Sequence, residues 1–361
     1  MEKKDNFEGL TPAFSDNFTT VAMSSSDEYL PYLAVSLQSL VDNSSNNHNY
    51  DIVIFSNTPM SSRKQTLLDK YNSKNISLRF YNPREILSNI KMEVTHNNFH
   101  EVCYYRLAAP IVFKQYKKII FTDLDLIFTS DLKNLSDIDL QNCTIAACIE
   151  PIWKYFKDNN LPFKGGISVE DYSKNILKLS DTDSYYNTGV MVIDVEKFNQ
   201  NNCFEKLQEA INTHSFIFQE QCALNYIFKG DTYRLDGQWN VETFYNMESI
   251  YEKDKTNIIH YPGLEKPWFY PEMQHADIWW EYARRTPFYE EILKRMTVSA
   301  IQTPPPPKML VISTIWPITG DTKSCKILYL EKLKPVIAAK KGFIKKKFKN
   351  TLNNNHYLYP S

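Results

Sequence analysis

The stretch that most constrains this chain is Lys117 to Phe128, KKIIFTDLDLIF. Ile119-Ile120-Phe121 and Leu126-Ile127-Phe128 are short apolar, β-branched runs. They read as strand buried on both faces, the pattern of a parallel sheet in an α/β protein. Asp123 and Asp125 lie between them. Extended backbone puts residues i and i+2 on the same side, so the two carboxylates converge. Anionic oxygens at the C-terminal end of a buried strand suit a hard divalent cation, and such a cation suits a diphosphate. The plain alternative is a strand-ending turn whose aspartates face water. The same spacing recurs at Asp137/Asp139 and Asp181/Asp183, so the apolar flanks, and not the spacing, single out the first copy.

On either side of this stretch strand and helix alternate. Strands are expected at 18–23, 51–55, 76–80, 145–149 and 186–194, with a short apolar run at 258–260. Helices are expected at 29–41, 61–71, 104–116, 199–213 and 219–228, with Pro110 kinking or breaking the third. This order predicts right-handed βαβ units around a parallel sheet. The 361 residues suffice for one large α/β domain with an appendage. The expected division is a loose polar tail over 1–17, a main domain over 18–286, and a proline-containing linker with a basic C-terminal appendage over 287–361. Pro304 to Pro307 form a stiff, extended segment there.

Charge is distributed unevenly. Formal net charge is −1, yet Asp321 to Asn350 carries +8 and the remainder −9. A basic end on an acidic body points to an anionic surface as partner and away from nucleic acid. Leu333 to Phe348 interleaves lysines with Val336, Ile337, Phe343, Ile344 and Phe348. That basic amphipathic pattern suits an anionic inner membrane surface; the alternative is a solvated charged tail. The six cysteines include no C-x-x-C pair, which argues against a zinc site or a disulfide framework and for a reducing compartment. Neither a signal-peptide core nor an apolar run of membrane-spanning length is visible. The expected location is therefore cytoplasmic, with peripheral attachment to the inner face of the cell membrane.

Other candidate residues follow the strands. Ser24, Ser26 and Tyr29 come after the first, where an open α/β sheet places ligands and where Tyr29 can stack on a base or merely pack at a helix start. Arg106 precedes the Asp123 strand and suits a phosphate or one of the aspartates. His260 can complete a metal shell, or be a hydrogen-bonded bystander. Beyond it, Gly263 permits close backbone approach and Lys266 supplies a point charge for a pyrophosphate. Asn187 opens a buried strand, and Glu220 and Gln221 start a helix whose dipole alone would explain the carboxylate.

Taken in order, these segments resemble glycosyltransferase family 8, the retaining enzymes that use nucleotide sugars and include bacterial lipopolysaccharide galactosyl- and glucosyltransferases. The resemblance spans about Phe18 to Trp268. It rests on YYRLAAP, FTDLDLIF, NTGVMVID, FQEQCALN and above all HYPGLEKPW. It implies a GT-A (nucleotide-diphospho-sugar transferase) fold, a Rossmann-like mixed sheet flanked by helices, with nucleotide and acceptor halves fused in one continuous sheet. It implies Mn²⁺, with Mg²⁺ as the substitute, held by Asp123, Asp125 and His260 and bridging the diphosphate of a UDP-sugar. Ser24, Ser26, Tyr29, Asp123, Leu124, Gly263 and Lys266 match nucleotide-binding positions. Arg106, Asn187, Thr188, Glu220 and Gln221 match positions around the donor sugar, with Asn187, Glu220 and Gln221 able to stabilise charge at the anomeric carbon.

Two positions depart from the family pattern. Ser26 stands where Asp is usual, which weakens the contact to uracil, and Glu220 stands where Asp is usual, which moves the carboxylate outward by one methylene. The implied function is hexose transfer (galactose or glucose) to a glycan or lipid-linked glycan, as in lipopolysaccharide or other surface polysaccharide synthesis. A non-catalytic UDP-sugar-binding protein on the same fold is the alternative.

Overall fold

The computed structural model describes residues 9–92, 101–163, 166–244, 255–263 and 265–302. Ten strands occur among them: β1 (Phe18–Ser24), β2 (Asn49–Phe55), β3 (Ile76–Tyr81), β4 (Lys118–Thr122), β5 (Leu126–Phe128), β6 (Ile145–Ile149), β7 (Tyr186–Asp194), β8 (Thr232–Arg234), β9 (Val241–Glu242) and β10 (Ile258–His260). Seven of them form one sheet in the order β3-β2-β1-β4-β7-β6-β8, and β5-β10-β9 form a second. Helix α1 (Leu30–Asp42) follows β1 and α2 (Ser62–Tyr71) follows β2. The first four strands of the large sheet's order are parallel neighbours, whereas β7 runs antiparallel to both β4 and β6. The architecture is thus a parallel-dominated mixed sheet flanked by helices, as expected, but with the continuous sheet resolved into two.

Alternation in the central strands explains why they read as doubly buried. Val21 and Met23 of β1, Ile52 and Ile54 of β2, and Val190 and Val192 of β7 face one core, which includes Leu33, Leu37 and Leu40 of α1. Ala22, Val53, Phe55, Met191 and Ile193 face the other, with Phe113, Phe121 and Leu207. Full burial of each large aliphatic is worth about 1.5–3 kcal/mol, so both helical layers are strongly held to the sheet. At α2 the Ser61 hydroxyl caps the helix by accepting from Lys64 N at 3.3 Å.

Several expectations are corrected. The helix placed at 104–116 is a 3₁₀ segment, Glu101–Ala108, followed by a single α turn, Ala109–Val112, because Pro110 leaves no donor to continue the ladder. The one placed at 199–213 begins earlier and is two helices, Val195–Gln200 and Cys203–Thr213, interrupted where Asn202 turns left-handed at φ 50°. Residues 9–17 of the supposed tail are bonded to the fold: Leu10 N donates to Val112 O at 2.7 Å and Ala13 N to the Asp51 carboxylate at 2.9 Å. The helix Tyr289–Gln302 also belongs to the body and not to an appendage. Its Ile292 is fully buried, and Arg63 spans to Glu291 at 2.7 Å. Residues 1–8, the four prolines and the basic segment lie outside the described residues. Among the described residues no helix is long and apolar enough to cross a membrane, and no disulfide joins the cysteines.

Candidate active site

Strand order reverses at β1, whose neighbours β2 and β4 lead to opposite halves of the sheet. Such switch points open a crevice beyond the carboxyl ends of the strands. Ser24 ends β1 there, and β4 runs out into Asp123-Leu124-Asp125, which crosses from the large sheet to the small one. Both banks hold the crossing. Asp123 N donates to Gly189 O at 2.8 Å, and Tyr261 N donates to Asp125 O at 3.0 Å. Antiparallel pairing of β10 with β5 sets His260 opposite Leu126, hence beside Asp125. One ligand atom from each of Asp123, Asp125 and His260 then falls within 4.8 Å of the others. The other two Asp-x-Asp copies are surface turns, in which Asp139 accepts from Gln141 N and Asp181 from the Ser184 hydroxyl.

The chemistry of this trio fits a divalent cation. His260 Nδ1 lies 2.9 Å from Asn240 Oδ1, which can only accept, because the Asn240 amide donates to Asn187 Oδ1 at 3.0 Å. That bond leaves the Nε2 lone pair aimed at Asp125 Oδ1 and Asp123 Oδ2, 3.4 and 3.7 Å away. His260 Nε2 and Asp125 Oδ1 are both buried without a hydrogen-bond partner. Two acceptors and an imidazole lone pair converging without a donor repel one another unless a cation joins them. An oxygen-oxygen-nitrogen set of this kind suits Mn²⁺ or Mg²⁺.

Fixed cations flank the trio. Lys266 pairs with Asp125 and donates to Tyr261 O at 2.7 Å. Burial works against the ionised form of Asp125, but the Lys266 ammonium beside it holds its carboxyl well below the usual carboxylate range. Arg106, 7% exposed, pairs with Asp123, lies 3.9 Å from Glu220, and donates to Thr188 O at 2.6 Å and Thr188 Oγ1 at 3.0 Å. The guanidinium is thus a strut between two acids. Burial pushes Glu220 up from the ordinary carboxylate value, against the pull of Arg106. Gln221 Oε1 accepts from Thr188 N at 3.0 Å, and its amide donates to Glu150 at 3.3 Å. Gly263 turns at φ 75°, a conformation side chains rarely adopt. Tyr29 meets Tyr32 edge-on, and Tyr32 stacks on Trp268 with ring centroids 4.2 Å apart.

All fourteen residues singled out from sequence line a single cavity of about 370 Å³. Glu150, Glu242, Asn240 and Gly189 were not anticipated. The first two line the same cavity, Asn240 orients His260, and Gly189 makes room: a Cβ on it would lie 2.4 Å from His260 Cε1 and 3.0 Å from Asp123 Oδ2.

Comparison with known proteins follows the same lines. A family model described as glycosyl transferase family 8 matches residues 20–272. General stress protein A of Bacillus subtilis is 27% identical over 197 residues, 48% of this chain and 62% of that protein. A putative glycosyltransferase of Haemophilus influenzae is 26% identical over 69% of this chain and 72% of its own length. Among solved structures, the bifunctional glycosyltransferase WbbM superposes with a TM-score of 0.70 at 26% identity, over 80% of this chain and 53% of WbbM. The galactosyltransferase LgtC, solved with donor and acceptor sugar analogues, shares the fold at a TM-score of 0.59 and 18% identity, over 74% of this chain and 96% of LgtC. This chain therefore spans less than two thirds of the first of these relatives and about half of WbbM. The chain belongs to glycosyltransferase family 8.

Proposed function

We propose that the chain transfers a hexose, galactose or glucose, from a UDP-sugar to a hydroxyl of a glycan acceptor, with retention of configuration at the anomeric carbon. The observation that carries this reading is the Asp123-Asp125-His260 cradle, whose ligand atoms lie within 4.8 Å of one another in a cavity shared with Lys266 and Arg106. A divalent cation held by those three side chains would neutralise charge on the departing diphosphate. Lys266 stands ready to add positive charge on the same side, and Gly263 lets backbone approach the phosphates closely. Positive charge grows at the anomeric carbon as the sugar-phosphate bond breaks. Glu220 and the amide oxygens of Asn187 or Gln221 are the groups suited to face it. Tyr29 and Ser24, which line the same cavity, are the groups suited to the base.

Family resemblance supports a bacterial surface glycan, lipopolysaccharide included, as the acceptor, and peripheral attachment at the inner membrane face would bring a lipid-linked acceptor within reach. The test is a panel of UDP-sugars, assayed for hydrolysis and transfer with MnCl₂ and with EDTA. Turnover of UDP-galactose or UDP-glucose that EDTA abolishes and MnCl₂ restores is expected. Turnover indifferent to EDTA, or confined to a donor other than a UDP-hexose, overturns the reading.

A further inference from the structure

Glu242 differs from every other acid in the cleft. Asp123 and Glu220 face Arg106, and Asp125 faces Lys266. Glu150 takes three donors: Ile152 N at 3.1 Å, Asn187 Nδ2 at 2.8 Å and Gln221 Nε2 at 3.3 Å. Glu242 is 7% exposed and lines the cavity, yet neither of its buried oxygens accepts a hydrogen bond, and the polar group beside it is another carboxyl, Glu150. A buried acceptor left unmatched costs on the order of 1–3 kcal/mol. Nor can local slippage relieve it, since β9 is locked to β10 with Glu242 level with His260 and Thr243 N on His260 O at 2.8 Å. A polar group that disfavours the fold and lines the ligand cavity is what a binding function preserves.

Its place in the two sheets says what it meets. Across the small sheet the sequence of side chains is Asp125 leading into β5, His260 on β10, then Glu242 on β9. Across the large sheet it is Asp123 after β4, Asn187 on β7, then Glu150 after β6. Both rows end in a glutamate, two strand spacings or roughly 10 Å of backbone from the aspartates. With a diphosphate at the aspartates, a sugar ring is the body that reaches the far end. Resting on the donor chemistry proposed above, we propose that Glu242, backed by Glu150, receives adjacent hydroxyls of a pyranose, supplied by the donor's hexose or by the acceptor. Hydroxyls bring the donors that Glu242 lacks, and Phe218 and Phe244 of the same cavity offer an apolar wall to the ring.

The experiment compares the full chain with Glu242→Met and Glu242→Gln in MnCl₂. Calorimetric titrations use UDP, UDP-glucose and UDP-galactose, and then the methyl α- and β-glycosides of glucose and galactose added to UDP-loaded protein. The Met variant is expected to bind UDP within twofold of the parent and to melt no lower. It should lose at least tenfold in affinity for the UDP-hexoses over UDP if the donor supplies the hydroxyls, or for a methyl glycoside if the acceptor does. Glu242→Gln, which keeps one acceptor oxygen, should fall between.

Affinities within twofold throughout overturn the proposal, as does a fall in melting temperature accompanied by loss of UDP, which would make Glu242 a structural residue. Should the Met variant not fold, the Gln variant decides: a threefold loss supports the proposal and no loss overturns it. A parent chain that fails to bind UDP refutes the donor reading itself, and this inference with it.

Discussion

Strands β2 and β7 of the large sheet run for seven and nine residues, whereas β5, β9 and β10 of the small one have three, two and three. The long strands are filled with Ile, Val and Phe packed on both faces. The short ones carry or adjoin Asp125, His260 and Glu242, each with a buried acceptor atom that finds no donor. A sheet of that size has no independent stability, so it rests on its packing against the large sheet's helices, with α1 against β5 as a main contact. The contrast teaches that the long strands give the site only their ends, such as Asn187 and Thr188 of β7, and keep their middles for the core, whereas the short strands carry chemistry with little core of their own.

The sharpest break is Asp125→Ala. UDP-hexose turnover should fall by about 10³-fold or more while the melting temperature moves by only a few degrees, read by a coupled assay and a thermal melt. The mirror experiment is Ile52→Ala in β2. A fully buried Ile cut to Ala should cost about 2–5 kcal/mol in urea unfolding, with turnover of the folded fraction unchanged. Gly189→Ala tests the seam between the two regions. It adds one carbon where β7 meets His260 and Asp123, so overpacking should cost about 1–3 kcal/mol and pull activity down roughly 100-fold by displacing the cradle. Activity kept at the parental level would show that the seam yields more than its distances imply.

The smallest effect belongs to the far end of the large sheet. His48 is bound between Thr19 Oγ1 and Asn17 Oδ1, each at 2.9 Å, and burial pushes its imidazole below the ordinary 6.5. A depressed histidine contributes stability that is present above 6.5 and lost as pH falls below it. Urea melts at pH 7.5 and 5.5 should therefore show a loss for the parent that His48→Gln lacks, with no change in donor turnover at either pH.

Much of this was legible in the residues themselves, and the reason is concentration. FTDLDLIF and HYPGLEKPW each pack a strand, a turn and charged side chains into a dozen residues or fewer, so local pattern and chemistry coincide. Asn240, Glu242 and Gly189 were not legible because nothing near them in sequence announces a partner. Asn240 matters only through His260, and Glu242 only because a two-residue strand pairs with β10. Gly189 sits in a strand whose pattern suits any small residue; only the closeness of His260 excludes a side chain. The helix break missed at Asn202 has a similar origin, whereas the one at Pro110 was legible from the proline itself. Apolar periodicity runs past Asn202, and its left-handed backbone overrides it.

The Asp-Leu-Asp crossing has one more consequence. Asp123 hangs from the large sheet, while His260 arrives on the small one from far along the chain, so an ion gripped by both would act as a removable staple. Such a staple closes a long covalent loop without a covalent bond. Adding or stripping metal should thus shift how firmly the small sheet is fastened, and exchange of the Tyr261 amide proton would follow cation concentration even with no sugar present.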